Sequence, residues 1–204
     1  IYTGLIYGLG DPYSAYYTAE EYERESQSTD GEYTGIGVTI TKNQDNETVI
    51  IDCYEGGPAK QAGIQTGDIL KKVNGEDVSG MELAEVTERI KNSPSDEVIL
   101  TIQREGEKNT KEVKVSVTGV EIPSVSSEML EENIGYIKIS KFTGVTYEQY
   151  HAAFEKLKEQ GAKQLIVDLR NNPGGLMTAV CDVLREILPE GLIVYTEDKY
   201  GNRV

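Results

Sequence analysis

Residues 164–175, QLIVDLRNNPGG, constrain this chain more than any other stretch. The run 165–169 is apolar but for Asp168, and it stops at Arg170-Asn171-Asn172-Pro173-Gly174-Gly175. Leu176, Val180, Val183, Leu184, Ile187 and Leu188 then recur at helical spacing. A short apolar run bounded by turn residues reads as a buried strand. The pattern is therefore strand, sharp Gly-rich turn, helix. Such a turn leaves backbone N–H groups unpaired beside the positive end of a helix. It suits an oxygen that carries or develops negative charge. A plain βα connection, with glycines present only for positive φ, accounts for the same residues. The turn by itself leaves both readings open.

The 204 residues suffice for one large or two small domains. With 35 acidic and 20 basic side chains the net charge is −15, which argues against a nucleic-acid partner. No run of about 18 apolar residues is present, so no transmembrane helix is expected. The chain begins with Ile1 rather than Met, so it reads as a piece of a longer protein whose localisation signals lie upstream. Cys53 and Cys181 fit no metal spacing and no CxxC, and read as buried free thiols. His151 is the one histidine and falls on the polar side of an amphipathic helix, so it reads as a surface residue. That count excludes a multi-histidine zinc site. Neither metal nor cofactor is expected.

Residues 1–9 are predicted helical, and Gly10-Asp11-Pro12 breaks the helix. Thr18 and Glu21 have capping-box spacing and open a helix from Ala19 to about Ser26. Tyr13, Tyr16, Tyr17 and Tyr22 are expected to pack this arm onto the body, and residues 27–32 to form a loop. Residues 35–40 alternate as a half-buried strand, and 48–54 form a second. A short helix closed by Gly63 follows, then strand 69–73 with an Asn74-Gly75 turn. Residues 81–91 form an amphipathic helix ended by Ser93-Pro94, and 97–104 and 111–117 a hairpin.

Residues 31–118 resemble a PDZ domain of the bacterial, circularly permuted kind. The resemblance rests on Gly35-Ile36-Gly37-Val38 and on a long signature: Pro58-Ala59, Ala62-Gly63, Gly67-Asp68-Ile69 and Asn74-Gly75. It implies a groove between the strand at 36–40 and the helix at 81–91. Loop N–H groups there would hold a terminal carboxylate, and a peptide would add to the sheet edge. Gly35, Ile36, Gly37, Val38, Ile40, Leu83, Val86 and Ile90 are the peptide-binding candidates; core packing explains Ile90 more readily than Val86.

After Thr118 the period changes. Residues 121–125 read as a crossover segment, 134–139 as a strand, and 146–160 as a helix capped by Thr146 with Gln149. Strand 164–169 completes a βαβ unit. A last strand is expected at 192–196, with a polar turn at 198–203. With Gly10-Asp11-Pro12-Tyr13-Ser14 before the PDZ-like stretch and Leu169-Arg170-Asn171-Asn172-Pro173-Gly174-Gly175 after it, the chain resembles the C-terminal processing, or tail-specific, serine peptidases. The resemblance implies three parts of mixed α+β and α/β class: an N-terminal helical arm (1–30), the PDZ domain (31–118) and an incomplete Clp/crotonase-like α/β peptidase core (119–204). It implies an extracytoplasmic endopeptidase acting on protein or peptide C-termini, with a serine nucleophile and a lysine base. The backbone N–H of Gly174 or Gly175 would form half of its oxyanion hole.

The serine motif of that family (GSASASE) and its Gly-Lys-Gly stretch are not found in residues 1–204. These residues alone are expected to hydrolyse nothing. Membrane anchoring would need segments outside them, and homo-oligomer formation is left open. The competing reading is a PDZ peptide-binding adaptor whose α/β part is a platform. An HtrA-like arrangement fits less well, because there the protease domain precedes the PDZ domain.

Overall fold

Helix α1 (Tyr2–Tyr7) buries none of its residues. It opens a computed structural model that describes residues 2–107 and 109–203. Ile1, predicted to lie in this helix, falls outside the described residues. Helix α2 (Ala19–Asp30) begins at the expected capping box: Glu21 N–H donates to Thr18 Oγ1 (3.2 Å) and Thr18 N–H to Glu21 Oε2 (2.8 Å). It runs on through the residues expected to form a loop, because none of them breaks a helix before Gly31. Gly31 takes φ 78° and donates to Gln27 O. The tyrosines do not pack the arm down; Tyr13 is 94% exposed, and Tyr16, Tyr17 and Tyr22 are also exposed. The end of α2 anchors the arm instead. Lys141 Nζ donates to Ser28 O (3.1 Å) and Oγ (2.7 Å), and Gly144 N–H to Thr29 O (3.0 Å). A cation at the last carbonyls suits the negative end of a helix.

Two compact units make up the chain: residues 32–123, and the arm together with the residues from 124 onward. In the first, strand β1 (Glu32–Gly35) gives way to β2 (Val38–Lys42). The single strand expected at 35–40 is thus interrupted, because Gly37 turns the chain at φ 77°. Then follow β3 (Thr48–Cys53), α3 (Pro58–Gln61), β4 (Ile69–Val73), β5 (Glu76–Asp77) and α4 (Leu83–Lys91). The hairpin β6 (Glu97–Gln103) and β7 (Lys111–Ser116) comes next, and then β8 (Thr118–Glu121). The sheet order is β2-β3-β4-β6-β7, which leaves β2 as an edge strand; β8 pairs with β1 and carries the unit past Thr118 to Pro123. Asn74 and Gly75 both take positive φ (50° and 83°), as the tight β4–β5 turn requires. Helix α4 starts at Leu83, leaving Met81 outside it.

Asp68 of the signature is an internal tie. Its buried carboxylate accepts from Arg104 Nε (2.8 Å) and Nη2 (2.8 Å) and from Gln65 N–H (2.9 Å), and Arg104 also reaches Gly63 O. Burial pushes the Asp68 carboxyl up, but these donors outweigh it and hold the group below its ordinary value.

In the second unit, β9 (Val125–Leu130) begins at the last residue of the expected crossover segment 121–125 and is a strand that was not expected. It pairs antiparallel with β10 (Ile134–Ile139). Helix α5 (Thr146–Glu159) leads to β11 (Gln164–Asp168), which lies parallel to β10: the expected βαβ unit. Thr146 is the first residue of α5 rather than its cap; its buried Oγ1 accepts from Thr143 N–H (2.8 Å). Gln149 Oε1 accepts from Ser124 N–H (2.8 Å), tying α5 to the start of β9. Helix α6 (Met177–Ile187) packs its apolar face on this sheet. Residues 192–196 form no strand, since no described strand pairs with them; a bridge between Glu197 and Arg203 closes the turn that follows. Cys53 and Cys181 are free and buried, and burial first, then Asp52 and Asp68, pushes the Cys53 thiol up. No described helix is long and apolar enough to cross a membrane.

Candidate functional site

The turn after β11 is built by its own side chains. Asp168 sits buried at the strand end and is gripped by Arg170: N–H and Nε to Oδ1 (2.8 and 3.0 Å), Nε and Nη2 to Oδ2 (3.0 and 2.7 Å). The Tyr136 hydroxyl on β10 donates to the same carboxylate. Arg170 first, then Tyr136, hold the Asp168 carboxyl well below the usual range, and Asp168 in turn raises Tyr136. Asn171 takes φ 64°, and Asn172 fastens the loop: its Nδ2 donates to Ile139 O (3.0 Å) while its Oδ1 accepts from Gly174 N–H (2.7 Å).

The two glycines therefore differ. Gly174 has its N–H taken by Asn172. Gly175 lies opposite Phe142 in a parallel bridge made by the groups on either side of it: Phe142 N–H to Gly174 O (2.9 Å) and Leu176 N–H to Phe142 O (2.8 Å). In that geometry the N–H of Gly175 points away from Phe142, and no acceptor for it is found among the described residues. Gly175 is exposed, at φ 140°, two residues before α6, whose N-cap residue Leu176 makes no side-chain cap bond. A Cβ here would stand 1.9 Å from Phe142 O, so only glycine fits.

In the first unit the expected groove residues separate by burial. Gly35 ends β1 and Gly37 lies in the connection to β2, and Gly37 C=O accepts from Tyr54 N–H. Ile36, Val86 and Ile90 belong to the core, with Val86 fully enclosed and Ile90 5% exposed. The expectation that Val86 lines a pocket and that Ile90 is the more core-like is thus corrected: one helical turn apart on the inner face of α4, both point into the core. Val38, Ile40 and Leu83 are half-buried and form the accessible apolar surface along β2 and the start of α4. The free edge of β2 adjoins them. The sequence reading missed Tyr33, whose ring covers Gly35, and the Tyr136–Asp168–Arg170 cluster. An aspartate inside an apolar run was the available signal for the latter.

His151 is exposed, with Nδ1 2.7 Å from Glu186 Oε1. No group of three or more His, Cys, Asp or Glu side chains among the described residues could hold a metal ion.

The chain thus joins an antiparallel domain with an open strand edge beside a helix to an α/β unit carrying an outward N–H at a strand–helix turn. Residues 26–103 match the PDZ domain and residues 133–204 match peptidase family S41. The carboxy-terminal processing protease CtpA of Bacillus subtilis is 33% identical over 201 residues, covering 98% of this chain and 43% of that protein. A "Probable CtpA-like serine protease" of Staphylococcus aureus is 33% identical over 196 residues, covering 96% and 39%. The solved photosystem II D1 C-terminal processing protease is 25% identical with a TM-score of 0.50, covering 91% of this chain and 52% of that one. The chain is thus similar to CtpA-like C-terminal processing proteases, with a PDZ match in one part and a peptidase family S41 match in another, and it spans less than half the length of the curated relatives it matches.

Proposed function

We propose that this chain is the tail-recognising part of a serine endopeptidase that acts on protein C-termini outside the cytoplasm. The observation that carries the catalytic half is the Gly175 N–H, held outward by the Phe142 bridge. A scissile carbonyl placed there would find a fixed donor as its oxygen turns negative. Gly174, with its N–H bound to Asn172, positions the turn rather than the substrate. The second donor, the serine nucleophile and its lysine base belong to residues outside 1–204, so these residues alone cleave nothing. Lys141 beside Ser28 is no substitute: its amine donates to the Ser28 carbonyl as well as the hydroxyl, the geometry of a helix-end clamp rather than a base.

The recognition half falls to the loop 35–38 and the edge of β2. The loop's N–H groups would hold a terminal carboxylate, the β2 edge would pair with the peptide backbone, and Val38, Ile40 and Leu83 would meet its last side chains. The acidic surface disfavours acidic tails. A second reading, a peptide-binding adaptor, rests on the open edge of β2 alone. Titration calorimetry with a peptide ending in an apolar residue, as free acid and as amide, tests the recognition half. Tighter binding of the acid supports it, and equal binding refutes it.

A further inference from the structure

The chain leaves the second unit after Gly31 and re-enters it at Ser124, and both points are fastened to residues 140–144. At the first, Lys141 Nζ donates to Ser28 O (3.1 Å) and Oγ (2.7 Å), and Gly144 N–H donates to Thr29 O (3.0 Å). The two stretches touch there: a Cβ on Gly31 would stand 2.4 Å from Thr143 Oγ1, and one on Gly144 2.8 Å from Asp30 O. At the second, Ser124 O accepts from Ser140 N–H (2.9 Å) and Oγ (3.1 Å). Phe142 lies in the middle of this seat, buried, with both of its backbone groups given to the Gly-rich turn. Its N–H donates to Gly174 O and its C=O accepts from Leu176 N–H, the bonds that leave the Gly175 N–H facing outward. The Phe142 N–H shares one peptide plane with the Lys141 C=O, which accepts from the buried Thr146 Oγ1 (3.1 Å). A peptide plane turns as a unit, so whatever holds Lys141 also holds the Phe142 N–H.

We propose that Lys141 is a positioning residue for the oxyanion donor: its clamp on the end of α2 fixes the Lys141–Phe142 peptide and, through the Phe142 bridge, the direction of the Gly175 N–H. This rests on the reading of Gly175 as that donor. A donor stabilises a developing charge only if its direction is set before the charge appears. The Gly175 N–H has no acceptor of its own among the described residues, so its aim depends on the two bonds that Phe142 makes on either side of it. Lys141 is half-buried, and its ammonium makes charge-assisted hydrogen bonds, which are stronger than neutral ones. Swinging away would leave the Ser28 acceptors without it and forfeit the favourable cation at the negative end of α2. The clamp therefore stiffens the seat at the residue next to the bridge, while Ser140 and Gly144 fasten its two ends.

In the full-length protein, Lys141→Met keeps most of the stem and removes the ammonium, and Lys141→Arg restores a cation. kcat and KM are measured with a peptide ending in an apolar residue. Hydrogen exchange of the same proteins is read by mass spectrometry over residues 140–144 and 172–178, with the β10–β11 ladder as reference. Phe142 and Leu176 are the reporting amides, because their N–H groups make the bridge. In Lys141→Met, exchange over both segments is expected to rise about tenfold with the ladder unchanged. kcat should fall about tenfold with KM within about twofold of wild type, and Lys141→Arg should recover most of both losses. A raised KM with kcat intact overturns the proposal, and so does faster exchange spread evenly over the ladder, which marks general loosening. Unchanged exchange at the bridge overturns the clamp whatever kcat does, and leaves the reading of Gly175 standing. Faster exchange at the bridge with kcat and KM both intact removes Gly175 as the oxyanion donor, and the proposal with it. Gly144→Ala, whose Cβ would meet Asp30 O, opens the same seam without touching the charge and must lower kcat in the same direction.

Discussion

Replacing Gly175 by alanine tests the turn geometry on which the catalytic reading depends. The new Cβ would stand 1.9 Å from Phe142 O, 2.7 Å from its carbonyl carbon and 3.0 Å from its Cα. An ordinary carbon–oxygen contact is about 3.3 Å, so the backbone must part there by more than about 1 Å. Both bridge hydrogen bonds, Phe142 N–H to Gly174 O and Leu176 N–H to Phe142 O, are then lost. Each is worth about 1 kcal/mol net. A side chain at φ 140° adds strain of about 1–3 kcal/mol. Together the local cost is about 3–5 kcal/mol, which means amide exchange at Phe142 and Leu176 accelerated by roughly 100-fold or more. Gly174→Ala is the control: at φ 105° it is strained, but its Cβ meets nothing within 4 Å, and both bridge bonds survive. Hydrogen exchange read residue by residue by NMR separates the two. Exchange at Phe142 and Leu176 within threefold of wild type in Gly175→Ala would refute the argument from close approach.

Four further perturbations have definite expected outcomes. Asp168→Asn removes a carboxylate whose folded value lies below its unfolded one; the stability it contributes is therefore present above about pH 4. That contribution fades as pH falls through the folded value, so thermal midpoints of wild type and variant should differ at pH 7 and converge toward pH 2, and a gap independent of pH would contradict the linkage. Thr18→Ala deletes half of the capping box and should cost about 1 kcal/mol, read as lost helical ellipticity from α2; unchanged ellipticity would show that the cap is idle. Val86→Ala should destabilise by about 2–3 kcal/mol, because Val86 is fully enclosed. Leu83→Asp, half-exposed, should leave the urea midpoint within about 0.5 kcal/mol of wild type while weakening tail-peptide binding.

Much of this was readable before any coordinates. The βαβ unit and the Gly-rich turn follow from local rules: an apolar run of strand length, positive-φ residues, helical spacing after Gly175. The boundaries moved where tertiary partners decide. β9 was not seen because Val125–Leu130 alternates weakly in sequence, and it becomes a strand because β10 offers it a ladder. Residues 192–196 look like a strand by composition and are not one, for lack of such a partner. Val86 and Leu83 carry the same apolar signal in sequence, but only the rotation of α4 in place tells which of them is core. The choice between Gly174 and Gly175 depended on where the side chain of Asn172 reaches, which no spacing rule reports. Tyr33 was hidden for a similar reason: a tyrosine in a strand is ordinary until its ring is found folded over Gly35 and edge-on to Tyr54.

The most direct test of the central claim, that tail capture by the PDZ groove governs what the peptidase cleaves, is kcat/KM of the full-length protein. The substrates are a peptide with a free apolar C-terminus and its amidated twin, and the proteins are wild type and Leu83→Asp. The account predicts at least tenfold faster turnover of the free acid by wild type, and a preference near unity for the variant. Equal turnover of both peptides by wild type, or an undiminished preference in Leu83→Asp, would contradict it.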